Sequence, residues 1–143
     1  MSASDTKLRE KKRKAGRQAI IYICTALFCG LFSAVYEHFS HGVRSNYMVW
    51  LFAFPALLGA LPCTVIGLSQ SLPLPSRQAA GAWDCGIMTL ALGSCVRGVL
   101  DIYGTSSGYV AFYLPAGLVL LGTGSLLYLR GVRQAKKQAG DAA

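Results

Sequence analysis

The chain has 143 residues, 53% hydrophobic and only 14% charged, with a formal net charge of +8 and a mean hydropathy of +0.43. That length allows one domain, and that composition excludes an ordinary water-soluble globule and makes the bilayer the expected solvent. Five cysteines (Cys24, Cys29, Cys63, Cys85 and Cys95) all fall inside apolar stretches without a Cys-x-x-Cys spacing. This argues against a disulfide framework, a thioredoxin-like pair and a quinone-coupled oxidoreductase.

Residues 1–17 form a basic tail in which Lys7, Arg9, Lys11, Lys12, Arg13, Lys14 and Arg17 abut an apolar run beginning at Ala19. A basic segment placed directly against an apolar run is a membrane-orienting flank, so anionic lipid headgroups are its expected partner and nucleic acid is not. The first span covers residues 18–36 and, at about 1.5 Å per residue, can cross a hydrocarbon core of about 30 Å. No small-x-small cleavage site precedes Glu37, so the span is read as an uncleaved helix rather than a signal peptide.

The turn that follows, within VYEHFSHGVRSNYM, holds Glu37, His38, His41 and Arg44. The second span, residues 46–68, contains Pro55 and Pro62, which a membrane bundle tolerates at the expense of a kink. The stretch SQSLPLPSRQ (69–78) reads as a loop. The third span, 79–103, is interrupted by Asp84, Arg97 and Asp101, with Asp84 about 25 Å from Asp101 along the axis and near the opposite interface. Trp83, Trp50 and Tyr47 are read as aromatic-belt residues, and the Asp84 carboxylate as near water. After the short turn GTSSG, a fourth span covers 109–129, and Arg130, Arg133, Lys136 and Lys137 make residues 130–143 a second basic tail. Because both tails are basic, the positive-inside rule places both termini in the cytoplasm and the turns carrying Glu37 and Asp101 outside.

The fold expected is therefore an all-α membrane protein of four transmembrane helices. TALFCGLFSAVYE (Thr25 to Glu37) aligns without gaps on TLALGSCVRGVLD (Thr89 to Asp101), which points to two tandem, pseudo-symmetric helical hairpins related by an axis along the membrane normal. Small pairs four apart (Gly30/Ala34, Ala82/Gly86, Ser94/Gly98) allow close helix approach.

Arg97 and Asp101 are one helical turn apart, and the alignment brings Glu37 beside them. With His38 and His41 they form the expected outward-facing cluster Glu37, His38, His41, Arg97 and Asp101, either a structural ion-pair network or a site for a small polar ligand or a partner protein. His38 and His41 also admit a metal- or haem-binding redox subunit as the competing reading. No phosphate loop, nucleophile elbow or zinc-protease helix is present, so the sequence implies no enzyme of known signature and no cofactor. The string YEHFSHGVRSNYM, the run FPALLGALP and the later RGVLDIYGT resemble a family of small uncharacterised bacterial four-span membrane proteins. That resemblance implies a bacterial cytoplasmic membrane and brings no site residue with it. The expected partners are thus the bilayer and, as an assembly, a homodimer or a larger membrane complex.

Overall fold

A computed structural model describes residues 3–40, 44–69 and 72–141 of the chain. The described residues are helical apart from short connections, and four stretches are long and apolar enough to cross a bilayer: Asp5–Phe39, Asn46–Leu68, Arg77–Ile102 and Gly108–Gln138. The protein is an all-α membrane fold of four spans, as the hydropathy pattern requires.

Helix α1 (Ala3–Phe39) does not begin at the apolar run but extends back through the basic tail. That tail is rich in Lys, Arg, Glu and Ala, all good helix formers, and Glu10 and Lys14 pair one turn apart at 2.7 Å. The second span is irregular: a short helix α2 (Asn46–Val49), a turn, a π-helix over Phe54–Ala60, and α3 (Leu61–Leu68). The widened turns lie between Pro55 and Pro62, so the irregularity expected from the two prolines takes the form of a π segment. Pro62 has no N–H to offer the Leu58 carbonyl one turn before it, and the Trp83 indole Nε1 donates to that oxygen at 2.7 Å instead.

Helix α4 (Arg77–Ile102) starts two residues earlier than the hydropathy pattern alone places it. Ser76 caps it, its hydroxyl accepting from the Ala79 N–H at 3.2 Å. It ends in a Schellman arrangement: Thr105 N–H donates to the Leu100 carbonyl at 3.0 Å and Gly104 N–H to Asp101 at 3.2 Å, with Gly104 at φ +67°. A 3-10 turn (Gly108–Phe112) leads into α5 (Tyr113–Asp141), where Pro115 sits in the first turn and costs no hydrogen bond.

The spans pack in chain order. Helix α1 lies against the π segment and α3, the second span lies against α4, and α4 lies along α5. Among the described residues the backbones of α1 and α5 make no contact, and α1 reaches α4 only through side chains. A twofold relation between the hairpins would match the second span on α4 with α5 on α1; that counterpart is missing, so the packing lends the internal repeat no support. Helices α1 and α5 are thus not packed directly on each other.

Close approach depends on small residues. Replacing the Gly86 hydrogen by a Cβ would put it 2.8 Å from Leu121 Cγ, and at Gly59 2.2 Å from Tyr22 Cδ1. Two apolar clusters result, one around Met48, Leu51 and Ala91 and another around Tyr22, Ala60, Ile87, Leu90 and Leu121.

Candidate functional site

The turn that joins α1 to the second span and the end of α4 meet at one end of the bundle. There α2 is wedged between α1 and α4. Met48 is fully buried, the Ser33 hydroxyl donates to the Met48 carbonyl at 2.8 Å, and the Ser94 hydroxyl donates to the Tyr47 carbonyl at 2.7 Å. The Leu51 N–H donates to the Met48 carbonyl at 3.2 Å instead of to Tyr47 one turn before it, so the Ser94 hydroxyl takes the place of an in-helix donor at Tyr47, and Ser33 adds a second donor at Met48.

The expected outer cluster is partitioned among other partners. Glu37 Oε2 lies 3.9 Å from Arg44 Nε on the adjoining turn, a long pair in which Arg44 is 80% exposed and Glu37 18%. Glu37 Oε1 is buried and has no hydrogen-bond partner among the described residues. Asp101 Oδ2 accepts from the Ser45 hydroxyl at 3.0 Å. Arg97, the expected partner of both acids, forms an ion pair with neither among the described residues; its guanidinium lies 4.9 Å from the centroid of the Tyr47 ring. An arginine at the exposed end of a span keeps its hydration, so it does not need an acid, and the ring face of Tyr47 is within reach. His38 is exposed and stands edge-on to Phe39 at 5.6 Å; His41 lies outside the described residues. Among the described residues no three His, Cys, Asp or Glu side chains converge as a metal site would need.

The opposite end, which carries both termini, holds a feature absent from the sequence reading. A cavity of about 780 Å³ opens between the spans, and every span lines it. Lys14, Gln18 and Tyr22 come from α1; Cys63 and Ile66 from α3; Arg77, Gly81, Trp83 and Asp84 from α4; Ser125 and Tyr128 from α5. Tyr22 packs against Gly59 of the π segment, and its hydroxyl donates to Asp84 Oδ1. Asp84 is seven residues into α4, about 10 Å from Arg77 along the axis. Because α4 is about 39 Å long against a hydrocarbon core of about 30 Å, a centred helix puts Asp84 about 6 Å below the boundary. Asp84 and Trp83 are half-buried and both find partners within the bundle, the carboxylate in Tyr22 and the indole in the Leu58 carbonyl.

The rim is basic and tied down. Lys11 Nζ donates to the Ser69 carbonyl at 2.6 Å and to that of Leu72, and the Tyr128 hydroxyl donates to Pro73 at 3.1 Å, so α1 and α5 both hold the 72–76 connection in place. Lys14 hydrogen-bonds Glu10 and, with its charge, holds that exposed carboxyl below the usual carboxylate range. The assembly is chemically simple: an apolar wall, a carboxylate and a phenol at depth, and cations at the mouth. Comparison of the chain with protein-family models, curated proteins and solved structures returned no match.

Proposed function

We propose that this protein binds a small amphipathic molecule in the cavity at the end of the bundle bearing both termini, in a transporter-like or accessory role in a bacterial cytoplasmic membrane. The observation that carries the reading is the cavity itself: about 780 Å³, walled by residues of all four spans, mostly apolar and with few polar groups at depth. Small-molecule sites have this character. The lack of direct packing between α1 and α5 supports lateral access from the bilayer. The basic residues beside the first and fourth spans support a cytoplasmic position for this end and contact with anionic headgroups.

Trp83 lines the cavity and the chain's other tryptophan, Trp50, does not, so a Trp50→Phe variant in lipid nanodiscs reports on the site alone. Saturable energy transfer from Trp83 to the neutral probe N-phenyl-1-naphthylamine is expected. Gly81 lines the cavity with open space where a Cβ would stand, so Gly81→Leu fills the site without a clash and abolishes the transfer. Equal transfer in both proteins refutes the reading.

A second reading keeps the outward-facing cluster as the site for a small polar ligand or partner protein, and the unpartnered Glu37 Oε1 favours it. Under it, Glu37→Gln stabilises the isolated protein by removing a half-buried charge; a loss of stability instead makes the Glu37–Arg44 contact a structural tie.

A further inference from the structure

We propose that Asp84, steadied by Tyr22, is the recognition site for a lipophilic organic cation, a positively charged centre within an apolar body, bound from the bilayer. This inference rests on the cavity being a binding site and adds the charge of what binds there.

The argument begins with the carboxylate. Asp84, about 6 Å below the hydrocarbon boundary for a centred α4, sits in a wall that includes Pro62, Ile66, Trp83 and Leu129. An ionised carboxylate in such surroundings is unfavourable unless a positive charge and hydrogen bonds meet it. Among the described residues no lysine, arginine or histidine forms an ion pair with it. Its one side-chain partner is the Tyr22 hydroxyl on Oδ1, which uses one of about four acceptor positions of the two oxygens. Tyr22 is itself held by its contact with Gly59, so the carboxylate is fixed in place and still lacks a counter-charge.

The two cations that line the cavity, Lys14 and Arg77, stay at its mouth. Arg77 is about 10 Å away along α4, and Lys14 about 12 Å from Tyr22 along α1, where its ammonium is already engaged by Glu10 at 2.7 Å. Neither charge can reach Asp84 without leaving the headgroup level for the apolar interior. The missing charge is therefore one that a ligand brings.

A bare metal ion does not suit the site. One carboxylate and one phenol cannot replace a hydration shell, and no group of three ligating side chains is found among the described residues. An anion does not suit it either, since its charge would face Asp84 once inside. An organic cation has an apolar body to fill the space and a weakly hydrated charge to surrender to the carboxylate. The strongly basic tails disfavour its approach from the cytoplasmic water, whereas the lack of direct packing between α1 and α5 lets it arrive sideways from the membrane, where lipophilic cations accumulate.

The test compares tetraphenylphosphonium with its neutral near-isostere triphenylphosphine oxide in nanodiscs, read as displacement of N-phenyl-1-naphthylamine from the Trp50→Phe protein. Expected is at least tenfold tighter binding of the cation than of the neutral compound. Asp84→Asn removes that preference by weakening the cation alone, with transfer to the naphthylamine retained as proof that the cavity is intact. Equal affinity for the two compounds in the parent protein overturns the inference whether or not the Asn variant folds, and so does an unchanged preference in that variant. Failure of the naphthylamine itself to bind the parent is a different result, because it sinks the cavity reading on which the inference stands.

Discussion

The bond from Trp83 to Leu58 yields a prediction that can be worked through from the structure. Pro62 leaves the Leu58 carbonyl without its donor in the helix, and the Trp83 indole supplies one at 2.7 Å. Trp83→Phe keeps most of the ring's packing and removes that N–H. Leaving a buried carbonyl unsatisfied costs about 1–3 kcal/mol in general, whereas side-chain hydrogen bonds between membrane helices average about 0.6 kcal/mol and reach about 1.7. Pro62, four residues on from Leu58, has no N–H to take the indole's place, and a loss of about 1.5 kcal/mol, in the upper part of the membrane range, is expected. The assay is reversible unfolding in mixed micelles with SDS, followed by circular dichroism. A second substitution makes the prediction specific: Pro62→Ala returns an N–H to the Leu58 carbonyl, so in that background Trp83→Phe costs less by about 1 kcal/mol. An identical penalty with and without Pro62 refutes the reasoning, because it shows that the indole's contribution is packing alone.

Two further substitutions follow from the same geometry. Gly59→Ala forces a Cβ to within 2.2 Å of the Tyr22 ring and destabilises by about 1–3 kcal/mol in the same SDS assay, whereas Gly122→Ala, with nothing near its Cβ, is neutral or stabilising by up to about 1 kcal/mol. Arg97→Leu removes only a contact with the exposed Tyr47 ring, so it costs no more than about 1 kcal/mol; a loss of folding would mean that Arg97 balances Glu37 or Asp101 after all.

The four spans were legible because crossing a bilayer is a matter of length and hydropathy, and neither depends on neighbours. The second span runs from Asn46 to Leu68 in both sequence and structure. The start of α4 was missed by two residues because Ser76, the cap that fixes it, was read as part of a Pro/Ser loop. The depth of Asp84 was legible by counting rise, but its sidedness was not. Hydropathy says how far along a helix a residue lies, and only the packing of α4 on the second span and α5 decides which face is inside. Tyr22 was passed over altogether, as one aromatic in an apolar run; its signal was an Asp at matching depth in the third span. At the other end, Glu37 and Asp101 stand at the ends of the first and third spans, but not as partners of Arg97. Their partners, Arg44 and Ser45, lay in the turn between the spans, where the sequence reading looked past them to Arg97.

Packing in chain order also bears on how the molecule is made. Each span rests on the one synthesised immediately before it, so most of the interior forms from neighbours in the chain as each hairpin enters the membrane, without waiting for a distant partner. The exceptions are the few side-chain bonds that join α1 to later parts of the chain: Lys11 to the Ser69 and Leu72 carbonyls, and Tyr22 to Asp84. These form only after the second and third spans are in place. The ribosome thus delivers a scaffold first, and the lined cavity is the last thing the chain completes.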